Sequence, residues 1–337
     1  AAVIFFSADS KSAEQDIPFE EELAEICEQC PDDYPQVVLA LPEKGGFADK
    51  SDSELFSLLE NWNPVIRDAV SKELARRGES CLPQLKKGMQ SSKWKVRCGV
   101  ANALAILIKE DQRNQGREKT QEKYADFTDD LIRLLEDDNR SVRAGALGAL
   151  SSLGSGKKKI AMAVLALGGD KDEYLADAAM INLEKHIGID SLDPDVAVKG
   201  FTRAMGNPLP RGKGHILRMI KRMDEETQRK CVPMLLDHLD WNAGRDTMFA
   251  SGGQKDALEV LVNLREEKLI PKLPKLLDKK MRGLNMFDPS IDAIKTLGSN
   301  CKSILPELKA YMEKLEKEKK VETKLAKLKE AIEHVEK

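Results

Sequence analysis

Residues of the same kind return at the same offsets along this chain, and nothing else in it restricts the possible folds so tightly. Take Arg67, Arg97, Arg143 and Ala176 as reference points. Just before them stand Ile66, Val96, Val142 and Leu175; three places after, Val70, Val100, Ala146 and Ala179; seven after, Leu74, Leu104, Leu150 and Leu183. Two places after stands a small residue each time: Ala69, Gly99, Gly145 and Ala178. Twelve before stand Leu55, Leu85, Leu131 and Val164, and the reference points lie 30, 46 and 33 residues apart. Offsets of −1, +3 and +7 share one face of an α-helix. The small residue lets a neighbouring helix come close, and the position at −12 belongs to a preceding helix. A short polar turn joins the two, with Asn63, Asn139 and Asp172 suited to cap the second helix and Pro64 suited to its first turn. Each unit is therefore two antiparallel helices. Neither helix can bury its apolar stripe alone, so the units must stack.

The run Pro64-Val65-Ile66-Arg67-Asp68-Ala69 with Leu74 and Gly78 resembles the second helix of a HEAT repeat, and Val142, Arg143, Ala146, Leu150 and Gly154 repeat the theme. The likeness covers residues 51–188. Weaker pairs follow at 195–205 with 215–223, 225–239 with 255–265, and 269–279 with 290–297. The fold expected is all-α: a right-handed α-solenoid of about six or seven HEAT-like helix pairs, without a sheet, ending in a long C-terminal helical tail. Residues 1–50 would form an N-terminal arm and cap, with a helix over 20–28; 51–300 the array; and 301–337 a helical cap. In that tail Val321, Leu325, Leu328, Ile332 and Val335 make a heptad-like seam. Its simplest use is to cover the last repeat in a monomer, and a dimer through this helix is the alternative. The polar stretch 110–124, which lengthens one interval, reads as an exposed loop or frayed helix.

Charge and composition remove several function classes. Lys and Arg number 54 and Asp and Glu 57 in 337 residues, a net −3, which speaks against a strongly basic nucleic-acid binder. Apolar residues make up 41%, enough for a core. No uninterrupted apolar run approaches the ~18 residues of a membrane span. The opening Ala1-Ala2-Val3-Ile4-Phe5-Phe6, followed by small polar residues to Ala13, resembles the end of a signal peptide. Arg245 to Ala250, Leu297 to Cys301 and Ile304 to Leu308 look like the repeat region of exported bacterial HEAT proteins of no assigned activity. Export to the periplasm or beyond is the expectation, a cytoplasmic location the alternative. Among six cysteines only Cys27 and Cys30 form a CxxC, with Pro31 next and no second CxxC to complete a zinc site, so a local disulfide is the reading for them.

Neither an HExxH nor a GxSxG motif occurs. Gly154-Ser155-Gly156-Lys157-Lys158 ends a helix rather than following a strand, and Gly206 to Lys213 has the wrong spacing for a phosphate loop. No metal, cofactor or catalytic residue is expected, and the chain is not read as an enzyme. In proteins that look like this, arginines such as Arg67, Arg97 and Arg143 bond polar groups of the turns, here Asn61, Ser91, Asp137 and Asp170. All three tryptophans, Trp62, Trp94 and Trp241, fall at junctions between paired helices. Trp is enriched where surfaces meet partners. The candidate site is therefore a ridge of Trp62, Asn63, Trp94, Lys95, Arg140, Trp241 and Arg245, partly open to solvent. The function expected is a non-catalytic scaffold for a protein or peptide. The alternatives are a HEAT-like nucleic-acid-binding or DNA-repair protein, or a HEAT-like lyase; the Trp-bearing turn at 92–97 is also similar to the tubulin-binding turns of TOG domains.

Overall fold

The computed structural model describes residues 47–154, 157–241, 253–281, 284–318 and 322–337. Two compact units follow one another, Ala1–Ala103 and Leu104–Lys337. Cys27, Cys30 and the helix expected over 20–28 lie outside the described residues, as does Arg245.

In the first unit, α1 (Asp52–Leu58) starts on a reciprocal cap in which the Ser51 hydroxyl accepts from the Glu54 N–H and the Glu54 carboxylate from the Ser51 N–H. It pairs with α2 (Pro64–Arg77), which has Asn63 as its cap and Pro64 as its first residue. A 3₁₀ turn (Gly78–Cys81) leads into α3 (Leu82–Gly88) and then α4 (Trp94–Gln115). The small residue at the second offset does what the spacing requires: a Cβ on Gly99 would stand 2.4 Å from Leu59 Cδ2. α4 continues into the second unit.

There α5 (Arg117–Lys123) precedes six helix pairs: α6 (Thr128–Leu134) with α7 (Arg140–Leu153), α8 (Lys158–Leu167) with α9 (Glu173–Asn182), α10 (Pro194–Ala204) with α11 (Pro210–Lys221), α12 (Glu225–Asp240) with α13 (Gln254–Asn263), α14 (Leu273–Leu277) with α15 (Phe287–Leu297), and α16 (Leu305–Glu316) with α17 (Glu322–Glu336). First helices touch first helices (α6 to α8 to α10 to α12, α14 to α16), and second helices form an unbroken series from α7 through α9, α11, α13 and α15 to α17. This two-layer neighbour packing is what an α-solenoid requires. The core lies between the layers. Leu55, Leu85, Leu131, Val164, Val70, Val100, Ala146, Ala179, Leu74, Leu104, Leu150 and Leu183, the residues of three aligned columns, all have no exposed surface.

The structure departs from the sequence reading in three places. The polar stretch 110–124 is helical, through the end of α4 and all of α5, and is pinned down. Thr120 in α5 and Tyr124 at its C-terminal cap are both buried, the Tyr124 hydroxyl donates to Asp111 at 2.7 Å, and Gln121 Nε2 reaches the Leu153 carbonyl at 2.9 Å. The tail is not one long helix: α16 and α17 fold into an eighth pair, and Leu328, Ile332 and Val335 of the seam are buried where α17 meets α15 and α16. That seam is thus occupied within the chain, and a coiled coil with a second copy would have to uncover it. Finally, an antiparallel ribbon of two-residue strands, β1 (Lys280–Met281) and β2 (Leu284–Asn285), connects α14 and α15, with Lys280 opposite Asn285. Among the described residues no helix is long and apolar enough to cross a membrane.

Candidate binding surface

The turns inside the pairs are built by a repeated polar device. Asn61 Oδ1 accepts the Asn63 N–H at 2.8 Å, Asn63 Oδ1 accepts the Val65 N–H at 2.9 Å, and Arg67 Nη1 donates to the Asn61 and Trp62 carbonyls at 2.8 and 2.7 Å. The same bonding pattern recurs 76 residues later: Asp137 holds the Asn139 N–H at 3.0 Å, Asn139 holds the Ser141 N–H at 2.9 Å, and Arg143 donates to the Asp137 and Asp138 carbonyls, both at 2.9 Å. Between them Arg97 donates to the Ser91 and Ser92 carbonyls at 2.7 and 3.0 Å. A helix end leaves carbonyls without intrahelical donors, and the guanidinium forks fill that need. Arg143 goes furthest. It is 4% exposed and also meets the Asp170 carboxylate at 2.9 Å. The arginine column is therefore a set of turn clasps, bonded to the turn positions named for it in the sequence.

These clasps set the tryptophans. In the first unit Trp62 and Trp94 are both half-buried, and Arg67 joins them: it bonds the Trp62 carbonyl while its guanidinium lies 5.5 Å from the Trp94 ring centre. The Lys95 ammonium is 5.8 Å from the same ring, and Lys93 pairs with Glu60. Asn63 is buried and serves as the α2 cap, so its side chain faces its own helix end. In the second unit Arg140 pairs with Asp172 at 2.8 Å. Trp241, half-buried at the end of α12, stacks on His238 at 5.4 Å under the Lys213 ammonium at 5.2 Å, and its carbonyl accepts from Lys279 at 2.8 Å and from Gln254 at 3.3 Å. Trp241 is thus an anchor for a helix end as well as a surface residue.

The sequence reading missed a charged cluster on the second helices of the second unit. After α9 the chain makes a π turn (Leu183–Ile187), closed by the Gly188 N–H on the Leu183 carbonyl at 2.7 Å. Such wide turns redirect side chains. Glu184 lies in it, and three side chains from successive turns of α11 and its end converge on the carboxylate: His215 Nδ1 at 2.6 Å, Arg218 at 3.4 Å through Nε and Nη2, and Arg222 Nη2 at 3.3 Å. Burial alone would raise the Glu184 pKa; the bonds from His215 and Arg218 outweigh it, so the carboxyl stays below its usual range. Burial also pushes His215 down, against the pull of Glu184. One turn earlier, buried Asp177 takes the Gly212 N–H and is raised by burial, while Lys213, 3% exposed and bonded to the Met205 carbonyl, is pushed down to about 8 by burial despite the Asp177 charge. His215, Arg218 and Arg222 follow Glu184 by 31, 34 and 38 residues, about one repeat, too far for any local pattern to pair them.

No family model and no curated protein matches this sequence. Solved structures with related shapes include one from work on a phosphorylation switch controlling the interaction between cadherin and β-catenin. It is 16% identical with a TM-score of 0.46, aligned over 83% of this chain and 60% of that one, so this chain spans about three-fifths of its length. Another is the archaeal HEAT-like repeats protein of Thermococcus onnurineus NA1, 14% identical with a TM-score of 0.31, over 85% of this chain and 97% of that one. Superpositions this loose fix neither a partner nor a role. The all-α stack of HEAT-like pairs rests on this chain's own helix pairing and turn clasps.

Proposed function

We propose that the chain is a non-catalytic scaffold that binds a protein or peptide through the turns of its first unit, at Trp62 and Trp94 with Lys95 beside them. The observation that carries this is the Arg67 bridge. One guanidinium fixes both turns, so two half-buried indoles are presented as a preorganised patch rather than as independent mobile side chains. Rigid aromatic anchors of this kind dominate binding energy at protein interfaces. Affinity purification from the source cells with the wild type and with a Trp62→Ala/Trp94→Ala variant tests it. The expected result is a protein enriched by the wild type and lost by the variant, with its affinity for purified chain falling about thirtyfold or more while the melting temperature holds. Indoles that resist acrylamide quenching in the free protein, or a partner retained by the variant, would overturn the assignment.

A further inference from the structure

We propose that the face of α11 bearing Arg218 and Arg222 is a docking site for an acidic segment of a partner protein, recognised through its carboxylates. The idea rests on the reading of this chain as a protein-binding scaffold but uses a different surface, in the second unit.

The charges do not balance at this face. Glu184 is the one carboxylate reached by both arginines, and its side chain is 11% exposed, while those of Arg218 and Arg222 are 44% and 59% exposed. Two guanidinium groups against one carboxylate leave a positive excess, and Lys185, exposed in the same π turn, adds to it. The other nearby cation, Lys221, is already matched by Glu259 at 2.6 Å and Asp256 at 3.8 Å on α13. One turn back, the Asp177 charge is engaged by the Gly212 N–H and offset by Lys213 and Arg211. Like charges four residues apart on a helix repel. The pair Arg218 and Arg222 is held together because Glu184 sits between them, itself fixed by the short bond from His215.

Donor geometry points the same way. A guanidinium carries five N–H donors in a planar fork. Arg218 reaches Glu184 through Nε and Nη2 at a long 3.4 Å, and Arg222 through Nη2 alone. Their remaining N–H groups have no acceptor among the described residues. Two arginine forks, held from one side by a half-buried carboxylate and themselves largely exposed, match carboxylates in two-pronged geometry. A chain with a net charge of −3 presents this patch against a background that repels long polyanions, which favours a short acidic stretch of protein over nucleic acid.

The probe is a fluorescein-labelled peptide of ten glutamates, followed by anisotropy at low salt with the full chain. Binding is expected that weakens as salt rises, falls about tenfold in Arg218→Gln/Arg222→Gln, and is unchanged in Lys221→Gln, which removes a positive charge of the same helix that Glu259 and Asp256 already match. Trp62→Ala/Trp94→Ala should leave this binding intact, so failure of the tryptophan surface and failure of this one are separable. No binding of the peptide, equal loss in Lys221→Gln, or an arginine variant that melts like the wild type and binds as well would each overturn the proposal. Tighter binding of single-stranded DNA than of the peptide would replace it with a nucleic-acid surface.

Discussion

At the scale of single residues, Lys213 bears a cost that its surroundings explain. The residue is 3% exposed, and its amine donates to the Met205 carbonyl and lies 5.2 Å from the Trp241 ring centre. Burial lowers its pKa from 10.5 to about 8. Below pH 8 the amine is charged in both folded and unfolded chains, and the folded state carries the full penalty of burying it. Between about 8 and 10.5 the unfolded chain holds the proton that the folded one has released, so stability rises with pH; above that interval the contribution is constant. Lys213→Met has no such slope. Its unfolding free energy minus that of the wild type should be most favourable near pH 7 and drop by on the order of 2 kcal/mol by pH 10. Urea unfolding of both proteins across that range measures it, and parallel pH curves would mean that the buried amine keeps the pKa of an unfolded lysine.

At the scale of elements, the turn clasp is the unit that repeats most faithfully, and its arginines differ in what their loss would leave behind. Arg67 is half-buried and serves two carbonyls; Arg143 is buried and serves two carbonyls and the Asp170 carboxylate. Arg67→Met should cost about 1–2 kcal/mol, as loss of hydrogen bonds to partly hydrated groups does. Arg143→Met takes the guanidinium from the Asp170 carboxylate, which keeps the Asp172 N–H at 2.8 Å, and should cost about 3–5 kcal/mol. Guanidinium chloride unfolding would give the order, and equal losses would mean that Asp170 finds water or another donor. The same contrast shows what could be read from sequence. Asn61, Asn63 and Arg67, like Asp137, Asn139 and Arg143, lie within seven residues of each other, so their turns, caps and helices are legible in a single stretch. Glu184 with Arg218 and Arg222 is not, because the contact joins neighbouring repeats and depends on a π turn that no residue in Leu183–Ile187 announces. Thr120 and Tyr124 were hidden by the opposite effect: a run so polar that its two buried positions stood out too little. Trp241 caps the end of α12 and stacks on His238 three residues back in the same helix, but its cover by Lys213 comes from the preceding pair and has no local signal.

At the scale of the molecule, each end of a stack of helix pairs must be closed by something polar on its outer side. We propose that α16 and α17 do this in the second unit. Buried Leu328, Ile332 and Val335 face inward, while Lys327 and Glu330 form ion pairs with Asp288 and Lys295 of α15 at 2.7 and 2.6 Å. Removing residues 305–337 takes away the helix that packs along α15 and the two ion pairs between them. The shortened protein should melt lower and bind a dye specific for exposed apolar surface, while its circular dichroism stays helical; an unchanged melting curve would make the last pair an appendage. The bonds that tie one pair to the next have a further consequence. Glu184 with His215, Lys159 with Asp129, Lys314 with Asp278 and Lys279 with the Leu239 carbonyl span 31, 30, 36 and 40 residues. Contacts this near in sequence close small loops and form fast. A pair can therefore find its neighbour as soon as one more repeat has left the ribosome, and the growing chain need not hold its apolar stripes bare until synthesis is complete.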